Sequence, residues 1–132
     1  MKCIVVTPDR TVLEMETDFV SLPLYDGEIG IAPKHAPLIG RLGYGELRIK
    51  TEKADPLVYY IQSGFVEVLN DNVTILTESA IEASKIDLQE SKKCLEDALA
   101  KPAKNAELMK LKSQDVAAAR AQHHIALKRS GQ

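Results

Sequence analysis

The sequence contains no tryptophan and few other aromatic residues, with four tyrosines and two phenylalanines among 132 residues. Any hydrophobic core must therefore be filled by aliphatic side chains. Apolar residues make up 45% of the chain, which is ordinary for a globular protein and enough to form such a core. The length suits one medium domain, or a small domain with an appendage.

Long hydrophobic runs are also absent. No stretch approaches the roughly 18 consecutive apolar residues that a membrane-spanning helix needs. The apolar run near the start, Cys3–Val6, is far too short for the core of a signal peptide. We therefore expect a soluble protein whose association with any membrane goes through a partner.

Cysteine is scarce, and neither sign of charge predominates. Cys3 and Cys94 form no CxxC or Cys/His spacing, which favours two free thiols in a reducing compartment. The net charge of −2 argues against nucleic acid as a partner. Residues 1–84 carry a net charge of −6, however, and residues 85–132 carry +4. This asymmetry predicts different partners for the two parts, unless the basic part is simply a solvated helix face.

The first 80 residues have the pattern of a β domain. Short apolar or alternating segments are separated by turn residues, and they predict seven to nine strands in a sandwich or flattened barrel. Ser63-Gly64 separates two such segments and predicts a hairpin turn, and Asn70-Asp71-Asn72 predicts a second turn. The predicted strands are Cys3–Thr7, Thr11–Thr17, Phe19–Leu24, Glu28–Ala32, Glu46–Lys50, Leu57–Gln62, Phe65–Leu69 and Val73–Leu76.

The pattern becomes helical after Ser84. Asp87 has the position and chemistry of an N-cap for a helix that begins at Leu88. Pro102 interrupts the periodicity, and a second amphipathic helix is expected from Lys104 to about Arg129. A short connection between two helices predicts an antiparallel hairpin. The predicted architecture is α+β, with a β-sandwich domain at 1–84, a helical hairpin at 85–132, and the joint at Glu82–Lys85.

An ordered set of motifs resembles the epsilon subunit of F-type ATP synthase over nearly the whole chain, most strongly over residues 20–80. The segments that carry the resemblance are Asp26-Gly27-Glu28-Ile29-Gly30-Ile31, Pro33-Lys34-His35-Ala36-Pro37-Leu38, Gly45-Glu46-Leu47-Arg48-Ile49, Ser63-Gly64-Phe65-Val66-Glu67-Val68 and Val73-Thr74-Ile75-Leu76. The resemblance implies a β-sandwich of about ten strands followed by a C-terminal two-helix hairpin.

The resemblance also implies a role without catalysis. An epsilon subunit binds the foot of the gamma stalk, rests on the polar loops of the c-ring and couples proton translocation to ATP synthesis. In bacteria its C-terminal helices can rise toward the alpha and beta subunits and restrain ATP hydrolysis. The expected location is the cytoplasmic side of the cell inner (plasma) membrane, as a peripheral subunit. No cofactor and no metal are expected.

Contact residues follow from the resemblance at matching positions. The expected c-ring contact is Asp26, Gly27 and Glu28, the expected gamma contact is Thr7, His35 and Gly40, and the expected beta-subunit contact in an extended state is Lys110, Lys112 and Arg120. The alternative for Glu28 is a solvated turn carboxylate. From the residues alone, a lone histidine such as His35 would most often be structural, hydrogen-bonded to backbone.

Two further patterns favour no ligand. Some bacterial members bind ATP at a motif of the form Ile/Leu-Asp-x-x-Arg-Ala, and Ile86 and Asp87 match its start. Glu90 occupies the cationic position and would repel phosphate, so weak or absent ATP binding is expected. His123 and His124 point about 100° apart on a helix and cannot easily share a metal ion, so we interpret them as surface residues.

The residues leave two other classes of function open. One is an independent β domain that binds a small molecule or peptide and carries a helical dimerisation tail; unlike a rotor subunit, it would not co-purify with a gamma-like subunit. An enzyme fits less well, because the acids, hydroxyls and histidines form no recognisable constellation. Among rotor subunits, a bacterial epsilon fits better than a mitochondrial homologue, and a chloroplast-encoded copy remains an alternative.

Overall fold

The computed structural model describes residues 1–129 and contains eight strands followed by two helices. Two compact units divide the chain, Met1–Ile81 and Glu82–Gln132. The elements are β1 (Lys2–Thr7), β2 (Arg10–Glu16), β3 (Phe19–Leu24), β4 (Gly27–Ile31), β5 (Leu38–Arg41), β6 (Tyr44–Thr51), β7 (Ala54–Leu69), β8 (Asn72–Glu82), a 3-10 turn (Ala83–Lys85), α1 (Leu88–Ala100) and α2 (Ala106–Arg129).

The β unit is a sandwich, as predicted. All of its strands are hydrogen-bonded into one continuous sheet, in the order β2-β1-β8-β7-β6-β3-β4, and β5 is paired to β7. β1 and β8 run parallel. The antiparallel pairs are β1–β2, β3–β4, β3–β6, β5–β7 and β6–β7. Alternate residues of the strands face inward, and aliphatic side chains form the core, as the scarcity of aromatics predicted. Its fully buried members include Val5, Leu22, Ile31, Leu47 and Ile75.

The hairpin predicted at Ser63-Gly64 is wrong. β7 continues through this dipeptide: its first half pairs with β6 and its second half pairs with β5. Ser63 has φ 50° and Gly64 has φ 109°, and these values bend the strand without reversing it. Leu42 and Gly43, which connect β5 to β6, lie opposite them: the Ser63 amide donates to the Gly43 carbonyl (3.0 Å), and the Leu42 amide donates to the Gly64 carbonyl (2.8 Å).

This corner accounts in part for the strand count of eight, where the resemblance implied about ten, because β7 serves two partners as one continuous strand. β5 (Leu38–Arg41) was not predicted, because no strand was expected between Ala32 and Glu46. The predicted turn at Asn70-Asp71 is confirmed: both residues have positive φ (50° and 63°), as a two-residue hairpin between β7 and β8 requires.

The helical unit is the predicted hairpin. Asp87 is the N-cap of α1, and its Oδ1 accepts from the Glu90 amide at 3.0 Å. Asn105 plays the same role for α2, with its Oδ1 accepting from the Leu108 amide at 2.8 Å, so α2 begins two residues later than predicted. Between the helices, the Lys101 ammonium pairs with the Asp115 carboxylate at 2.9 Å.

Small residues fill the interior of the helical unit. The described apolar residues buried there are Ala83, Ala98, Ala119, Ile125 and Ala126. Each alanine removes little apolar area from water, so each contact stabilises the hairpin weakly. α2 buries the apolar side chain of Ile125 near its C-terminal end, whereas Leu108 and Leu111 near its start are exposed.

Candidate functional site

The predicted c-ring contact lies at the β3–β4 hairpin, where Asp26 is in the turn and Gly27 and Glu28 begin β4; we call these three residues the acidic turn. Asp26, Gly27 and Glu28 are all exposed, and neither carboxylate forms an ion pair within residues 1–129. The neighbouring Tyr25 has 71% of its surface exposed. Its ring carries the Arg41 guanidinium at 4.5 Å from the ring centroid. The turn therefore presents two carboxylates, an aromatic ring and one cation together, and the sequence analysis missed the last two.

Two of the three predicted gamma-contact residues point into the sandwich. Thr7 is 8% exposed, and its hydroxyl donates to Asp9 Oδ1 at 2.7 Å. This hydrogen bond lowers the pKa of the Asp9 carboxyl below its usual value. Gly40 pairs with the buried Val66 on β7, and a Cβ added to Gly40 would lie 3.1 Å from the Leu24 side chain. Any contact at these positions must therefore involve their outward-facing neighbours.

Those neighbours form an apolar patch, which we define as Val6, Ile39, Phe65 and Leu76. Val6 on β1 pairs with Leu76 on β8, and both line a shallow depression of about 320 Å³ together with Phe65. Ile39 shares the outer face of β5 with Arg41, which pairs with Phe65. Three of these side chains are at least half exposed: Ile39 (75%), Phe65 (56%) and Leu76 (51%). The signal in the sequence was apolar residues on both faces of one strand, as in Phe65-Val66 and Ile75-Leu76.

His35 lies apart from the other two predicted gamma-contact residues. It is half-buried in the loop between β4 and β5, with Nδ1 2.7 Å from the Ala36 carbonyl oxygen. The preceding residue, Lys34, has φ 67°, and its amide donates to Asp71 Oδ1 at 2.8 Å, which ties the loop to the β7–β8 turn. Thr7 is at the other end of β1, five residues beyond the Lys2–Asn72 pair, and is therefore about 17 Å along the strands from this turn.

The predicted beta-subunit contact is spread around α2. Lys110 and Arg120 are exposed and Lys112 is half-buried, and none forms an ion pair within the described residues. At 100° per residue, Lys112 and Arg120 lie about 80° apart, whereas Lys110 and Lys112 lie about 160° apart. Lys110 and Arg120 also lie about 80° apart, so one acidic surface can meet Arg120 with either lysine, but not all three.

The structure gives the residues of the incomplete ATP-binding motif another role. The Asp87 carboxylate caps α1, and Glu90 is exposed in the first turn. His124 is exposed, as expected, but His123 is half-buried, with Nδ1 3.4 Å from Ser91 Oγ on α1. Within residues 1–129, no group of three or more His, Cys, Asp and Glu side chains is placed to hold a metal ion. None of the described helices combines the length and apolarity needed to cross a membrane.

Residues 1–83 match the family described as the β-sandwich domain of the ATP synthase delta/epsilon chain. The ATP synthase epsilon chain of Rhodopirellula baltica is 44% identical over 122 residues, which cover 92% of this chain and 94% of that protein. The chain belongs to the family of ATP synthase epsilon chains. The epsilon chain of Halalkalibacterium halodurans is also 44% identical, over 71% of this chain and 70% of its own length.

Solved structures share the fold of this epsilon-family chain. A chain of the Euglena gracilis mitochondrial ATP synthase, from a structure of OSCP, F1 and the c-ring, matches with a TM-score of 0.83 at 22% identity. The match covers 98% of this chain and 80% of that one. A chain of the Tetrahymena thermophila mitochondrial ATP synthase, from its central stalk and c-ring, matches with a TM-score of 0.76 at 12% identity over 96% of both chains.

Proposed function

We propose that this epsilon-family chain is the rotor subunit that couples proton translocation to ATP synthesis through contacts with gamma and the c-ring. It is not itself a catalyst in this role, and it associates with the cytoplasmic side of the cell inner membrane through the assembled complex. The c-ring contact is the turn of Asp26, Gly27 and Glu28. The gamma contact is the apolar patch, next to Thr7 and Gly40, and extends to His35.

The observation that carries the proposal is the apolar patch on an epsilon-family β unit. Phe65 and Leu76 are each more than half exposed on neighbouring strands, and Ile39 extends the same face. Contiguous exposed apolar area of this kind marks a protein–protein contact. The acidic turn adjoins this face through Tyr25 and Arg41, because Arg41 pairs with Phe65. One rigid sandwich can therefore hold two neighbouring partners at fixed spacing.

Single-cysteine cross-linking tests both contacts. Cys94 is exposed and is replaced by serine, whereas Cys3 is buried, with its pKa raised to about 12 by burial, and stays as an unreactive thiol. Glu28→Cys is expected to cross-link to the c-ring in the assembled complex, and Leu76→Cys is expected to cross-link to gamma. Lys53→Cys is the control, because it lies in the β6–β7 turn, about 17 Å along β3 from the acidic turn.

Equal cross-linking from all three positions, or from none, would contradict the proposal. A complementary test uses Glu28→Lys, which reverses an exposed charge without disturbing the core. We expect this variant to weaken rotor assembly or coupled proton pumping while leaving the melting temperature within a few degrees of the wild type. Unchanged coupled pumping would count against the c-ring contact.

The C-terminal hairpin is proposed to restrain ATP hydrolysis. Its alanine-rich interior holds the two helices together weakly, so a change of conformation costs little. Arg120, with Lys110 on one side and Lys112 on the other, gives α2 a positive charge that suits an acidic segment of the beta subunit. Such an attraction weakens at high salt, because exposed charges are screened.

Removing residues 85–132 tests this part of the proposal. The last three residues of that segment lie outside the described part of the chain, and the deletion removes them with the hairpin. We expect the assembled enzyme to hydrolyse ATP faster without the segment, because the restraint is lost while the β unit remains. An unchanged rate at low salt would remove the inhibitory role and leave the coupling role intact.

A further inference from the structure

Arg41 and the acidic turn form a single surface, although they are distant in sequence. The Tyr25 amide donates to the Arg41 carbonyl at 2.8 Å, and Leu24 forms a β-bridge with Leu42. One residue further on, the Gly43 amide donates to the Pro23 carbonyl at 3.2 Å. The backbone of β5 is thereby fixed against the end of β3. The position of Arg41 relative to the turn is therefore set by the fold.

The Arg41 side chain also has a partner on the surface. Its guanidinium carbon lies 4.5 Å from the centroid of the Tyr25 ring, well within the range of a cation–π contact. This contact favours one position of the guanidinium, so less side-chain freedom is lost on binding than for an arginine without it. A guanidinium has five N–H donors around its edge, in a geometry that matches a carboxylate.

The charges of this surface are unpaired within the described residues. Arg41 forms no ion pair with any carboxylate of residues 1–129, and the same holds for Asp26 and Glu28. A purely acidic turn would suit a purely basic partner. The Arg41 guanidinium beside the turn also requires a hydrogen-bond acceptor on the partner. The matching partner therefore carries a carboxylate next to its basic group.

We propose that Arg41, held over the Tyr25 ring, is the cationic member of the c-ring contact and binds a carboxylate on the polar loop of a c subunit. This inference rests on the proposed c-ring contact of the acidic turn. It assigns the contact a mixed charge pattern, in which Asp26 and Glu28 meet the basic groups of that loop and Arg41 meets its acidic group. Tyr25 acts as a positioning residue for Arg41.

The test measures the affinity of the full-length chain, already bound to gamma, for the c-ring in detergent. Because the contact is exposed, we expect Arg41→Gln to weaken binding by about threefold at low salt. Arg41→Glu is expected to weaken it by about tenfold, since it places like charges together. Tyr25→Leu should weaken binding in the wild type but have little further effect in the Arg41→Gln background, because its role is to hold Arg41. Lys53→Gln, which removes an equal charge elsewhere on the β unit, should change nothing.

The outcomes separate this inference from the proposed function. If Glu28→Lys weakens c-ring binding and Arg41→Glu does not, Arg41 is not part of the contact and the c-ring contact stands. If neither variant weakens it, the c-ring contact itself fails. Loss of melting temperature in Arg41→Gln without loss of affinity would make the Tyr25–Arg41 pair structural only. Weakened gamma binding, or self-association lost in Arg41→Glu, would assign Arg41 to that other partner and overturn the inference.

Discussion

At the scale of single residues, the corner of the β unit depends on Gly64. Its φ of 109° is unfavourable for any residue with a side chain, and a Cβ built there overlaps the Leu76 carbonyl oxygen. We expect Gly64→Ala to lower the free energy of unfolding by about 2 kcal/mol or more. Chemical denaturation measures this directly.

Gly27→Ala is the matched control for that prediction. Gly27 also has a positive φ, of 156°, but an added Cβ would meet no atom within 4 Å. We expect Gly27→Ala to lower the free energy of unfolding by about 1 kcal/mol, from the unfavourable backbone conformation alone. Equal losses in the two variants would show that the Gly64 corner is not sterically tight.

Thr7 and Asp9 provide a pH-dependent contribution at the β1–β2 turn. The Thr7 hydroxyl donates to the Asp9 carboxylate and lowers the pKa of that group below 3.8. A lowered pKa in the folded state means that ionised Asp9 stabilises the fold above pH 3.8. This contribution is lost as the pH falls through the folded-state pKa.

We expect NMR titration to find the Asp9 pKa closer to 3.8 in Thr7→Val than in the wild type, because the hydrogen bond is gone. The stability difference between the two proteins should shrink in strong acid. Thr17→Val serves as the control: its hydroxyl bonds to the Lys50 carbonyl at 2.8 Å and to no carboxylate. An unchanged Asp9 pKa in Thr7→Val would contradict the assignment.

At the scale of elements, the start of α1 depends on its cap. The Asp87 carboxylate satisfies the Glu90 amide, which has no partner inside the helix. We expect Asp87→Ala to destabilise the helical unit by about 1 kcal/mol, whereas Asp87→Ser retains an acceptor and loses less. Hydrogen exchange of the first-turn amides of α1 measures the effect. Equal exchange in all three proteins would show that the cap contributes nothing.

Local signals predicted most elements well. β3 has the predicted bounds, and the cap at Asp87 and the turn at Asn70-Asp71 follow from short-range chemistry that a sequence displays. β5 was missed because Gly40 interrupts a segment of only four residues. The corner at Ser63-Gly64 was misread because a Ser-Gly pair serves a bend or a reversal equally well, and the partner strand decides between them.

At the scale of the whole molecule, the two units differ in what holds each together. The β unit is filled by branched aliphatic side chains, whereas alanines dominate the interior of the helical unit. The first resists deformation because a close-packed core has few alternatives, and the second opens at lower cost. A rigid unit with two contact surfaces and a weakly held hairpin are the physical requirements of a coupling subunit that also regulates.

The candidate site was only partly foreseeable. The exposure of Asp26 and Glu28 follows from the turn signal Asp-Gly, which is visible in the sequence. The inward direction of Thr7 and Gly40 depends on strand register, which composition does not reveal. Tyr25 and Arg41 are 16 residues apart and meet only because β5 pairs beside the end of β3. Contacts of this kind require the fold.

ATP-driven proton pumping in reconstituted vesicles tests the coupling role most directly. The complex is assembled with the full chain, with no chain, or with the Glu28→Lys variant, and pumping is compared at equal rates of ATP hydrolysis. We expect full pumping with the chain, none without it and reduced pumping with Glu28→Lys. Equal pumping with and without the chain would show that it does not couple hydrolysis to proton movement.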